Sequence, residues 1–370
     1  GAGWIMRKIR VGLLCGGRSA EHEVSLQSAK NVIDAIDRDK YEVVLIGIDR
    51  SGRWSLGDSA EFLLNAHDPK LIALNKMSEG ISLAPGTMSN QLISQSTHLP
   101  TGAIDVIFPI LHGPFGEDGT IQGLAKLANI PFVGAGVLGS AVAMDKDVMK
   151  RLLREAGIPT PDFVTFNRSQ KEQIHFEEIR ERLGMPCFIK PANLGSSIGI
   201  TRAKDLTQFE AGIKEAFLHD RKILVETNIQ GREIECAVLG NSNPMASALG
   251  EVLPSHEFYS YEAKYIDENG ATLIIPAELP DDLTTRMRAL AVETYQVLDC
   301  EGMARVDFFL RGEREVLVNE INTIPGFTTI SMYPKLWAAA GVAYGDLIDQ
   351  LIQFGLERHL DRKDLQTTLS

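Results

Sequence analysis

Residues capable of chemistry crowd most densely between Gly302 and Met332 of this 370-residue chain: GMARVDFFL, a charged turn RGER, EVLVNEIN and TIPGFTTISM. Side chains two apart share one face of a strand. Arg305 and Asp307 therefore share a face in the first run, while in the second Glu320 and Asn322 alternate with Asn319 and Ile321. Paired antiparallel about a turn centred between Glu313 and Arg314, the runs place Asp307 opposite Glu320 and Arg305 opposite Asn322. Two facing carboxylates repel, so a positive charge is expected between them. Asp, Glu and Asn offer only oxygen ligands, too few for a calcium cage, which suits Mg2+ completing its octahedron with water and phosphate oxygens. An exposed strand face with ordinary charges explains the same letters without a metal.

A second constellation suits phosphate. The strand PCFIKP ends near Lys190 and runs into NLGSSIGI, where glycine-freed N–H groups, the hydroxyls of Ser196 and Ser197 and the nearby lysine fit a triphosphate. No GKS or GKT follows the glycines, so this is no Walker A loop, and a hairpin turn accounts for the small residues equally well. Downstream, Glu226 ends a strand, Ile229 and Gly231 follow, and Glu233 and Glu235 alternate with Ile234 and Cys236. An acid there could take ribose hydroxyls while Ile229 covers a base; a hinge would use the same composition.

Near the N-terminus RKIRVGLLCGG is a strand ending on Gly16 and Gly17, but the GxGxxG fingerprint of a nicotinamide dehydrogenase is absent. In the helix start that follows, Ser19 as cap and Glu21 and Glu23 against the macrodipole is the simplest account of the spacing. The functional account has Glu21 holding a substrate ammonium in the crevice at the strand ends. His112, in HGPFGEDGT, is assigned a lining role. Tyr259, Tyr261, Lys264 and Tyr265, within residues 255–270, suggest a lid, against the alternative of a packed surface loop.

The elements that must position these groups alternate. Strands over 7–17, 42–49 and 105–113, a helix from Ser19 to about Asp37, another near Thr120 to Asn129 and a short strand PFVG imply a doubly wound parallel sheet. Residues 51–103 read as a variable excursion. Helices follow over about 146–155, 176–183, 206–217 and 281–298, and a last one runs to about Arg358 before a frayed tail. The length suggests two or three domains. Gly1 to Ile5 are set aside.

A formal charge of -12 argues against non-specific nucleic-acid binding, so an anionic substrate must be met by local cations. Cys15, Cys187, Cys236 and Cys300 show no ligand spacing and read as buried free thiols in a reducing compartment. No apolar stretch nears the ~20 residues needed to span a bilayer and no signal-peptide core is present, so a cytoplasmic location without membrane contact is expected.

Taken together, GGRSAEHEVS (16–25), LHGPFGEDG (111–119), MDK (144–146), KPANLGSSIGI (190–200), EAKYID (262–267), ARVDFF (304–309) and NEINTIPGFT (319–328) resemble the D-alanine:D-alanine ligases of the ATP-grasp superfamily. The resemblance covers nearly the whole chain, least over 51–103. It implies an α/β fold, α+β in its C-terminal part: an N-terminal substrate domain (1–137), a central domain (138–228) and a C-terminal metal-binding domain (229–370), with ATP between the two sheets of the last pair. It implies that Lys146, Lys190 and Ser197 meet the ATP phosphates, with Lys264 also on ATP, and that Glu226, Ile229 and Glu233 meet the adenosine. Thr227 stands where many relatives have lysine and would offer adenine a backbone contact. Asp307, Glu320 and Asn322 would hold two Mg2+, with Mn2+ as an alternative ion. Glu21 would anchor the first D-alanine's ammonium in a network with Ser196 and Tyr265; Arg305 and the Gly326 backbone would face the reacting carbonyl, and Ser331 and Met332 the second D-alanine's carboxylate. The family also suggests a homodimer. The rival readings are a D-alanine:D-lactate ligase, which EAKYID disfavours, and a catalytically silent nucleotide-binding sensor, which has no need of Glu21, Arg305 and Asp307 together.

Overall fold

The computed structural model describes residues 7–57, 63–64, 67, 72–74, 79–86, 91–195, 198–254 and 264–365. Ser196, Ser197, the 255–263 part of the expected lid, Gly1 to Ile5 and the last residues of the tail lie outside them. Three larger sheets organise the described chain. In the first, Ile9–Gly16 lies between Tyr41–Ile48 and Val106–Ile110, and both pairings are parallel as expected. The apolar runs of these strands are buried on both sides, which is why they read as continuous hydrophobic stretches. At the end of the first strand Gly16 and Gly17 both take φ of +92°, and a Cβ on Gly16 would collide with the Ile48 carbonyl, so the glycine pair is demanded by the turn.

Several expectations are corrected here. The 51–103 excursion is part of the sheet: Trp54–Gly57, Glu79–Leu83, Leu92–Ser94 and Pro100–Gly102 extend its edge as antiparallel strands. The PFVG strand is reduced to one bridge between Phe132 and Ile107. The first helix begins at His22 with Glu21 at its N-cap; Ser19 does not cap it, its hydroxyl instead accepting the Glu21 N–H at 3.0 Å. The second helix stops at Leu127. The single last helix is two, Met332–Ala339 and Tyr344–Lys363, broken where Gly341 takes φ of +91°.

The middle sheet is antiparallel, in the order Phe163–Asn167, Lys222–Thr227, Cys187–Pro191, Thr201–Ala203. The third runs Lys264–Ile266, Thr272–Ile274, Met245–Leu253, Arg232–Leu239, Met303–Arg311, Glu315–Asn322. Helix Lys146–Glu155 is strongly amphipathic and is started by Asp145, whose carboxylate accepts the Val148 N–H at 3.0 Å. The Lys146 N–H donates to the Ala192 carbonyl at 2.9 Å, tying this helix start to the end of the Lys190 strand.

One core cluster joins the first sheet to the C-terminal helices, with Val11, Leu13 and Phe108 packed with Phe327, Tyr333, Leu347 and Leu351. The four cysteines are buried and free, as expected. Among the described residues no helix is long and apolar enough to cross a membrane.

Candidate active site

The hairpin pairs as its alternation predicts where it matters: Arg305 opposite Asn322 and Asp307 opposite Glu320. Beyond Asp307 the register shifts, so Phe308 meets Val318 and Arg311 meets Glu315, and the turn centres on Glu313 rather than between Glu313 and Arg314. The shift is a bulge that inserts Asn319 as an extra residue. It takes Asn319 out of the regular alternation, and the run from Asn319 to Thr323 borders the cleft.

In this structure the positive charge beside Asp307 is Arg305. Its Nε and Nη2 donate to the two Asp307 oxygens at 2.8 and 2.9 Å, and its Nε lies 2.8 Å from Glu235 Oε1. Asn322 Nδ2 donates to Asp307 Oδ2 at 3.1 Å. Burial, with Asp307, Glu320 and Glu233 nearby, pushes the Glu235 carboxyl up to about 8. Burial also raises Asp307, with Glu320 adding to it against Arg305. Asp307 and Glu235 thus share one guanidinium, with the Glu320 and Glu233 carboxylates close by. That excess of negative charge, on hard oxygen donors, fits a divalent cation. Among the described residues no three His, Cys, Asp or Glu side chains form a metal cage by themselves, so water and phosphate oxygens would complete the shell.

Opposite lies the cationic wall. Lys146 Nζ donates to the Leu194 carbonyl at 2.8 Å, and Lys190 Nζ sits 2.5 Å from Glu226 Oε1. The same carboxylate is shared with Lys150, whose Nζ lies 2.7 Å from Glu226 Oε2. The cleft between these walls holds about 350 Å³ and is lined by Glu21, Glu117, Lys146, Lys190, Glu233, Arg305, Glu320 and Asn322, among others. Glu21 reaches it from the start of the first helix. Glu117 is locked in place by backbone donors, Gly113 N–H at 2.6 Å and Ile324 N–H at 3.0 Å, while His112 Nδ1 bonds the Ile324 carbonyl at 2.8 Å.

Other expected residues sit elsewhere. Glu226 is 2% exposed, with its carboxylate turned to lysines rather than to the cleft. The Thr227 N–H is engaged by the Asp162 carbonyl at 2.9 Å. Ile229 is half-buried, and Lys264 and Tyr265 lie on an outer strand where the Lys335 ammonium is 4.8 Å from the Tyr265 ring centroid. Ser331 is buried, its hydroxyl accepting the Thr328 N–H at 3.0 Å. The Met332 side chain packs in the core, and the Glu268 carboxylate lies beside Gly326.

Two family descriptions match this chain, "D-ala D-ala ligase N-terminus" over residues 10–135 and "D-ala D-ala ligase C-terminus" over residues 152–353. The chain belongs to the D-alanine–D-alanine ligase family. It is 55% identical over 364 residues to the D-alanine–D-alanine ligase of Shouchella clausii, covering 98% of this chain and 99% of that one. In structure it is similar to the D-alanine–D-alanine ligase of Coxiella burnetii (TM-score 0.83, 40% identity, 97% of each chain). It is also similar to the Bacillus anthracis D-alanine–D-alanine ligase complexed with ATP (TM-score 0.71, 27% identity, 96% of this chain and 99% of that one). The two-sheet arrangement of residues 163–322 is the ATP-grasp fold of these ligases.

Within this ligase-family site, sequence reasoning met Glu117 and Glu235 without giving them a role, and passed over Lys150, Glu268 and the bulge at Asn319. For Lys150 a signal existed: it follows Lys146 by four residues and so lies on the same helix face. For Asn319 none did, because a bulge leaves no mark in local alternation.

Proposed function

We propose that this protein joins two D-alanine molecules into D-alanyl-D-alanine for peptidoglycan precursor synthesis, cleaving ATP to ADP and phosphate. The observation that carries the reading is the shared cleft: Glu21, Lys146, Lys190, Arg305, Glu320 and Asn322, drawn from distant parts of the chain, open onto one cavity. A carboxylate lacks a good leaving group. A carboxylate oxygen of the first D-alanine attacks the γ-phosphorus, the bond to ADP breaks, and D-alanyl phosphate forms. Lys146 and Lys190 neutralise the charge spread over the transferring group. Glu21 holds the first ammonium, within a network including Ser196 and Tyr265. The second D-alanine, its carboxylate at Ser331 and the Met332 backbone, attacks the carbonyl as a neutral amine. Arg305 and the Gly326 N–H receive the oxyanion, the amine's proton passes to the Ser196 and Tyr265 network or to the leaving phosphate, the C–O bond to phosphate breaks, and phosphate departs. His112 lines the first substrate's side of the site.

Asp307, Glu320 and Asn322 would hold two Mg2+ or Mn2+, which when bound offset phosphate charge. Ser197, Thr227, Ile229, Glu233 and Lys264 would border the nucleotide. The three domains divide at 137/138 and 228/229, the 255–270 segment is the lid, and the protein works in the cytoplasm as a homodimer.

Phosphate release from ATP, measured with D-alanine, L-alanine or no amino acid and paired with product mass, tests the reading. D-alanine-dependent release with a dipeptide mass is expected. Equal release without amino acid, or an ester as main product when D-alanine and D-lactate compete, would overturn it.

A further inference from the structure

Lys150 is a buried lysine outside the cleft, 1% exposed at its side chain, one turn along the helix from Lys146. Its ammonium has three partners: Glu226 Oε2 at 2.7 Å, Thr160 Oγ1 at 3.1 Å and the Pro161 carbonyl at 3.1 Å. An ammonium has three donors, so Lys150 is fully committed and has nothing left for a ligand. On its other oxygen Glu226 meets Lys190, which lines the cleft. Burial opposes the Glu226 charge, yet Lys190 and Lys150 together hold its carboxyl down at about 2, so it is ionised throughout the working range. One buried anion therefore stands between two cations, one facing inward and one facing the cleft.

We propose that Lys150 is a positioning residue for ATP: by neutralising Glu226 from behind, it leaves the Lys190 ammonium as uncompensated positive charge directed at the nucleotide phosphates. Without Lys150, Glu226 and Lys190 form a neutral pair of their own. Lys190 is then drawn back from the cleft and its field on the phosphates is cancelled. The inference rests on the proposed ATP-phosphate role of Lys190.

The test is a double-mutant cycle on the full-length protein, read as ATP affinity by calorimetry and as separate KM values for ATP and D-alanine. Lys150→Met is expected to weaken ATP binding and raise KM for ATP by about tenfold, with KM for D-alanine changed less than about twofold. Lys150→Arg, which keeps the charge, restores most of the affinity. In a Glu226→Gln background the anion is gone, so adding Lys150→Met should cost almost nothing further. An equal loss in both backgrounds, or equal rises in the two KM values, marks Lys150 as merely structural and overturns the proposal. If Lys150→Met alone does not fold, Lys150→Gln takes its place in both backgrounds of the cycle, with the same outcomes deciding it. Lys190→Met separates the two readings: unchanged ATP affinity there defeats the phosphate role of Lys190 itself, whereas loss there with none in Lys150→Met defeats only this inference.

Discussion

Glu117 is a buried carboxyl of the cleft wall with no ion-pair partner among the described residues. Burial is the main cause of its raised carboxyl, which moves from 4.5 to about 7, with Glu21 adding to it while His112 and two backbone N–H groups work against it. A carboxyl raised on folding binds more protons in the folded chain between those values. Its contribution to stability is therefore complete below about pH 4.5 and is lost as pH rises through 7, a change of about 3 kcal/mol. Denaturant melts from pH 5 to 8 should show wild type losing stability relative to Glu117→Gln across that window. The glutamine adds a roughly constant offset of about 1–3 kcal/mol by facing its amide to a backbone donor, so the slope is the diagnostic quantity. Parallel slopes would remove Glu117 as the titrating group. Asp307→Ala and Glu320→Ala are expected to fall below about a tenth of the parental turnover at saturating Mg2+. Retained rate in either variant would dismiss that residue as a metal ligand.

At the level of elements, the bulge at Asn319 makes a specific prediction. Deleting Asn319 leaves Val318, Glu320, Ile321 and Asn322 in plain alternation, a better hairpin by local rules. The deletion should shift Tm by less than about 4 °C yet lower kcat/KM at least about tenfold, because the bulge that sets the aim of Glu320 beside Asp307 is lost. Unimpaired kcat/KM would mean that the bulge is incidental. The same hairpin shows what the sequence makes legible. Alternation was enough to set Asp307 against Glu320, and the stop at Gly157 and Pro159 was enough to bound helix Lys146–Glu155. What stayed hidden depends on distant partners. Lys150 reads as a surface lysine until Glu226 is brought against it, and the Glu226 acid reads as a ribose ligand until two lysines surround it. The edge strands of 51–103 are only three to five residues long, so their pairing to the sheet comes from tertiary contact rather than local preference.

For the molecule as a whole, the division proposed at residue 137 separates sheets but not cores. Leu347, Ile348, Leu351 and Ile352, all 0% exposed, pack with the first sheet's Val11 and Leu13. Asp349 adds a 2.9 Å contact to Lys40, and Gln353 a 2.9 Å hydrogen bond to the Tyr41 hydroxyl. Without these four side chains the first sheet re-exposes a comparable apolar area of its own, at a cost of roughly 6–12 kcal/mol, as much as a typical domain's entire stability. Residues 1–137 produced alone should therefore give the circular dichroism of an unfolded or aggregated chain. A cooperative melt from that fragment would show the first sheet to be self-sufficient.

That shared core also sets a timetable for synthesis. The first sheet's strands leave the ribosome early, while the helix Tyr344–Lys363 that covers part of their apolar surface comes almost last. At ~5–20 residues per second, that surface waits roughly ten to fifty seconds for its cover. The nascent chain thus passes through a long interval in which its earliest strands are its stickiest part, and holding them apart until the final helix arrives is a task this architecture leaves to chaperones.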